Sequence, residues 1–110
     1  MKQYVIDALR YPDYEKLKAY LDETLGQPEI GGLYWIPLDP SLYSDVQIAH
    51  ADCAPFFMAL ELEETRLSGE LLVRTRNRIR CDCIHYADKQ QRDWLIQQME
   101  EIFEKLAILT

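Results

Sequence analysis

Between residues 56 and 86 apolar and polar side chains alternate, FFMALELEETRLSGELLVRTRNRIRCDCIHY, at the spacing that sends successive residues to opposite faces of a pleated sheet. Three strands and two turns account for the stretch, so it predicts a β-meander. With Leu62 opposite Leu67 and Thr75 opposite Ile79, one face carries Phe56, Met58, Leu60, Leu62, Leu67, Leu71, Val73, Thr75, Ile79, Cys81 and Cys83, and is expected to be core. The other face carries Phe57, Ala59, Glu61, Glu63, Glu70, Leu72, Arg74, Arg80, Asp82, Ile84 and Tyr86, charged in its middle and therefore wet or half covered. A one-residue slip would exchange the two sets, so burial sets the register; it implies a loop around Glu64-Thr65 and a three-residue loop at Arg76-Asn77-Arg78.

The flanking segments supply the second layer. Residues 3–8, QYVIDA, predict a first strand. A helix over 12–25 follows, with Pro12 at its first position, Asp13 and Glu15 at its positive end, and Gly26 and Pro28 closing it. Tyr14, Leu17, Leu21 and Leu25 form its buried stripe. Residues 33–38, LYWIPL, predict a second strand, placed at an edge or ending early because Pro37 lacks a ladder donor; if it lies parallel to the first, the crossover is right-handed. In residues 39–55 the alternation of Val46, Ile48 and His50 predicts a short strand at 46–50 amid turn and loop. Asp88 with Gln91 three residues later is a capping box. It opens a final helix whose stripe, Leu95, Met99, Ile102, Leu106 and Leu109, is widened by Trp94, Ile96 and Phe103. The expected fold is a two-layer α+β sandwich in the order β-α-β-(β)-β-β-β-α. Its sheet is mostly antiparallel, with five or six strands, and both helices lie on the core face.

Composition narrows the class. One domain suits 110 residues, and 48% hydrophobic with 28% charged residues is a globular balance. A net charge of −7 disfavours nucleic acid and anionic membranes as partners. The charge is segregated: residues 74–80 hold four of the 12 basic residues and no acid, leaving 8 bases against 19 acids, or −11, elsewhere. The amino terminus has no apolar core followed by a cleavage site, and no run nears the ~20 apolar residues of a membrane span, so a cytoplasmic location is expected. Three cysteines without a disulfide spacing are expected to be free thiols.

Three groups of residues could carry function. Arg74, Arg76, Arg78 and Arg80 offer guanidinium forks for phosphate or carboxylate, or else pair with the glutamates of their own sheet. Their R-x-x-x-R spacing resembles the opening of the cyclic-dinucleotide-binding PilZ domain; the Asp/Asn-x-Ser-x-x-Gly element that follows in that family is absent from this chain, so no membership is assigned. The apolar set Phe57, Leu72, Ile84 and Tyr86, with Trp94, Ile96 and Phe103 on the last helix, is a candidate interface for a homodimer or a protein partner. His50, Asp52, Cys53, Cys81, Cys83 and His85 invite a metal or a thiol nucleophile. On a regular strand Cys81 and Cys83 would stand ~6.6 Å apart, too far for two sulfurs ~2.3 Å from one zinc, so they are expected to be small buried hydrophobes with no metal. The reading that follows is a non-catalytic interaction or regulatory module, homodimeric and without cofactor. Its alternatives are an anion-binding module gripping a phosphorylated ligand or acidic partner through the 74–80 hairpin, and an acidic decoy for a basic partner.

Overall fold

A computed structural model describes residues 2–109. The strands are β1 Gln3–Ile6, β2 Leu33–Pro37, β3 Phe56–Glu63, β4 Arg66–Glu70, β5 Leu72–Thr75 and β6 His85–Tyr86; the helices are α1 Tyr11–Leu25, α2 Asp45–Ala49 and α3 Lys89–Lys105. All pairings are antiparallel: β2 with β3, β3 with both β4 and β5, β1 with β4, and β6 with β5. The α+β sandwich is as expected, and the question of a parallel crossover between the first two strands does not arise.

The first hairpin has the expected register, Leu62 opposite Leu67, closed by Glu64-Thr65. Farther along, Met58 and Ala59 on β3 face four residues, Glu70 to Val73, between the Leu60–Gly69 and Phe57–Arg74 pairs. The bulge kinks the long strand at Leu71, whose N–H reaches the Lys2 carbonyl while its own carbonyl takes the Ala87 N–H. Because the insertion is even, the faces do not exchange: Leu67, Val73 and Thr75 remain buried with Phe56, Met58, Leu60 and Leu62.

The second hairpin departs from expectation. Thr75 does not pair with Ile79; Leu72 pairs with Tyr86 and Val73 with His85, so residues 76–84 form a long loop and Ile79 is 95% exposed. Residues 46–50 are not a strand either. Ser44 caps α2, accepting the Gln47 N–H while Gln47 Oε1 accepts the Ser44 N–H, the same reciprocal device that Asp88 and Gln91 make at α3. The two glutamines then meet: Gln91 Nε2 donates to Gln47 Oε1 at 2.9 Å and to the Leu42 carbonyl, and Gln47 Nε2 donates to the Cys83 carbonyl at 3.2 Å.

Both long helices cover the core face, α1 over β2 and β3 and α3 over β4. Leu17, Leu21, Leu95 and Met99 are fully buried. Gly69 permits this approach, since a Cβ there would sit 2.6 Å from Met99 Sδ. At the end of α3 Ile108 is buried in place of the expected Leu109, which is exposed, because the chain turns at Ala107 (φ 55).

Helix α1 starts one residue earlier than its sequence predicts, capped by Arg10, so Pro12 sits second in the first turn. The carboxylate of Asp13 accepts the Arg10 N–H and pairs with the Arg10 guanidinium at 3.1 Å. That guanidinium holds the Asp13 pKa below the ordinary carboxylate value. A lowered folded pKa contributes stability above the unfolded value, about pH 4, that is lost as pH falls through the folded one. Urea midpoints measured across the acid range should therefore fall less steeply for Asp13→Asn than for the wild type; parallel curves would refute the pair's part in acid unfolding.

Candidate functional site

The outer face of the sheet, opposite the helices, is where the polar and apolar candidates meet. Antiparallel pairing sets Trp35 of β2 beside Ala59 and Phe57 beside Arg74. The Trp35 and Phe57 rings then lie edge to face, centroids 6.5 Å apart. The segment after α1 from Gly26 to Ile30 and the loop 76–84 both line a cleft of about 770 Å³. Its lining holds the apolar Leu33, Trp35, Phe57 and Ile84, the basic Arg74, Arg76 and Arg78, the acidic Glu29, and Thr24 and Leu25 from the end of α1.

The arginines have different surroundings. Arg74 pairs with Glu70 at 2.7 Å, the ion-pair alternative of the two readings open for the arginines. Arg78 reaches Asp52 at 3.2 Å, a partner from a distant segment; both side chains are largely exposed, so the pair is weak. The Arg76 guanidinium lies 6.0 Å from the Phe57 ring centroid, and among the described residues no carboxylate is within 4.0 Å of it. Arg80 points elsewhere, onto a shallow surface with Ile79, Cys81 and Asp82.

Of the apolar interface candidates, Phe57 and Ile84 line the cleft, while Leu72 and Tyr86 are cross-strand partners farther along the same sheet, Tyr86 beneath the Lys2 ammonium. Trp94 and Ile96 are half-buried on α3. Phe103 is a correction: at 3% exposure it belongs to the core and offers no surface, because the last turn of α3 folds its apolar flank inward together with Ile102.

The thiol and imidazole candidates also come together, though not all of them. Since residues 81–83 lie in a loop, closed by the Ile84 N–H donating to the Cys81 carbonyl at 3.0 Å, the two-residue strand spacing that kept Cys81 and Cys83 apart does not apply. Potential ligand atoms of His50, Cys81 and Cys83 lie within 4.8 Å of one another, and Cys53 Sγ is 4.0 Å from Cys81 Sγ. Hydrogen bonds from the thiol and backbone N–H of Cys83 lower the Cys81 pKa, whereas burial pushes the Cys83 thiol up to about 12. His50 Nδ1 is 2.7 Å from the Val46 carbonyl, which raises its pKa. His85 stands apart, Nε2 against Ser44 Oγ and Nδ1 against the Tyr86 carbonyl, and Asp52 faces Arg78.

Trp35, Leu33 and Ile30 are the cleft residues that pattern reading passes over. The signal for Trp35 was available: on an edge strand with Tyr34 and Ile36 inward, it had to face the outer side. No protein-family model, curated protein or solved structure matches this chain.

Proposed function

We propose that the chain is a non-catalytic binding module whose outer cleft takes a ligand with an anionic group and a flat apolar body. What supports this is one juxtaposition, the Trp35–Phe57 ring pair with Arg74, Arg76 and Arg78 in the lining of a cleft of about 770 Å³. That volume is within the range of small-molecule sites, which are mostly apolar with a few convergent polar groups. Arg76 supplies the free charge, over the Phe57 ring and unpaired among the described residues, while Glu29 in the same lining disfavours a ligand with a second anionic group beside it. The arginines thus select charge and the rings select shape.

Anilinonaphthalenesulfonate, an anionic aromatic probe, tests the reading against its uncharged relative phenylnaphthylamine. The sulfonate should bind saturably and lose affinity with salt. Arg76→Ala with Arg78→Ala should weaken it at least tenfold while changing stability by less than about 0.5 kcal/mol, and Trp35→Ala should weaken both probes. Equal affinity for the double variant and the wild type would remove the arginines from the site.

A second reading is favoured by the neighbouring Leu72–Tyr86 pair, which extends apolar surface beyond the cleft: a symmetric homodimer formed through this face. Light scattering at high micromolar concentration that gives twice the chain mass, reduced to the chain mass by Tyr86→Glu, would support it. A monomeric wild type would exclude it.

A further inference from the structure

We propose that His50, Cys53, Cys81 and Cys83 form a Cys3His zinc site that clamps the 76–84 loop to the segment before β3. The inference stands on the thiol and imidazole cluster and is independent of what the outer cleft binds. All three cysteines of the chain converge on one place from two segments of sequence, together with one of its two histidines. Small buried hydrophobes have no reason to gather in this way around an imidazole. Zinc does give a reason, since thiolate and imidazole are its preferred ligands, and among the described residues no carboxylate joins the cluster.

The spacing is that of a clamp. His50-Ala-Asp-Cys53 runs from the end of α2 through a single 3-10 turn, and Cys81-Asp-Cys83 is a hydrogen-bonded turn. Tetrahedral coordination with Zn–S of ~2.3 Å and Zn–N of ~2.0 Å asks for ligand atoms about 3.5–3.8 Å apart. The Cys53–Cys81 separation of 4.0 Å is close to this, and the separations among His50, Cys81 and Cys83, all within 4.8 Å, close by movements of ~1 Å within two loops; Cys53, which touches the group through Cys81 and does not lie within 4.8 Å of all three, has the farthest to move.

The surroundings are those of held ligands. His50 Nδ1 lies 2.7 Å from the Val46 carbonyl, which can only accept, so Nδ1 keeps its proton and donates while Nε2 has the lone pair a metal needs; such an outer partner orients most zinc-binding histidines. The Gln47 amide holds the Cys83 carbonyl at 3.2 Å, and the Cys53 carbonyl accepts from the hydroxyl of Thr75. Four protein ligands close the coordination shell, so the site is structural: binding releases the thiol protons as zinc–sulfur bonds form, with no change of oxidation state. The loop has need of such a tie. It carries no strand ladder between residues 76 and 84, and Ile79, one of its two isoleucines, is exposed to solvent.

The experiment uses the full chain, expressed with zinc in the medium and purified under reducing conditions without chelator. Elemental analysis should find about one zinc per chain. Exchange with cobalt(II) should give the intense d–d bands and sulfur-to-metal charge transfer of a tetrahedral three-thiolate site, and zinc should slow alkylation of all three cysteines at least tenfold. Cys81→Ser, at the half-exposed ligand, and His50→Ala should each weaken zinc binding by about a hundredfold or more. Because the alkylation comparison is made on wild-type protein, it stands whether or not a variant folds. Zinc-free protein that takes up no equimolar zinc, shows no cobalt bands and alkylates at the same rate with and without metal would overturn the proposal. So would a Cys53–Cys81 disulfide persisting under reducing conditions, seen as a mass two hydrogens lower.

Discussion

Phe56→Ala is expected to destabilise the protein by about 3–5 kcal/mol, the usual cost of emptying a fully buried phenylalanine site. Phe56 is 0% exposed at the start of β3, its ring edge-on to Tyr43 at 4.8 Å. It also joins two layers of structure by its backbone: its carbonyl accepts the Leu38 N–H at 3.0 Å, and its N–H donates to the Tyr43 hydroxyl at 3.3 Å. The site cannot collapse cheaply, because Leu38 and Tyr43 belong to the irregular segment between β2 and β3 and have no ladder of their own. Since domains of this size are stable by only about 5–15 kcal/mol, the urea midpoint should move far enough to leave a large unfolded fraction at moderate denaturant. Tyr43→Phe, which removes only the hydroxyl acceptor, should cost about 1 kcal/mol. A loss below about 1.5 kcal/mol for Phe56→Ala would mean that the neighbouring side chains refill the site, contrary to the packing described.

Gln47→Leu should be nearly as damaging, at about 2–5 kcal/mol, although it keeps the side-chain volume. Gln47 is completely buried and makes three side-chain hydrogen bonds, to the Ser44 N–H, the Gln91 amide and the Cys83 carbonyl. Leucine would leave the Ser44 N–H and the Cys83 carbonyl without a partner and strip the Gln91 amide of one of its two acceptors, the other being the Leu42 carbonyl; each orphaned group costs about 1–3 kcal/mol. The caps of α2 and α3 would be disturbed together, since Gln47 and Gln91 are the capping-box glutamines of the two helices and bond each other. A double-mutant cycle with Gln91→Leu should show coupling of about 1 kcal/mol or more. Additivity would show that the two caps are independent. If the zinc clamp is formed, Gln47→Leu should in addition weaken zinc binding some tenfold, through the lost support of the Cys83 carbonyl.

Period-two alternation picked out most of the buried side chains of the sheet, although Ala59, assigned to the outer face, is buried and Leu71, assigned to the core, is only half so. It named seven β3–β5 positions that are core in the structure, Phe56, Met58, Leu60, Leu62, Leu67, Val73 and Thr75, because a slip of one residue would put every one of them in water. The two long helices were legible for a similar reason, each with its own apolar stripe and local stop or start signals, Gly26 after α1 and the Asp88–Gln91 box at α3. The Ser44–Gln47 box was equally local, and α2 could have been read from it; the alternation of Val46 and Ile48 pointed instead to a strand, yet both are exposed. Alternation has no power over displacements by an even number of residues, which preserve every face. Hence the bulge at Leu71 and the shift from Thr75–Ile79 to Val73–His85 pairing were settled only by tertiary contacts. That one shift lengthened the arginine loop, put Arg76 and Arg78 beside a Trp35 brought in by β2, and turned Cys81 and Cys83 out of a strand and toward His50 and Cys53. Residue types with the chemistry to bind were visible in the chain. Their meeting was not, because it depends on loop closure between segments about thirty residues apart, whose entropy varies too slowly with loop length to mark one register over another.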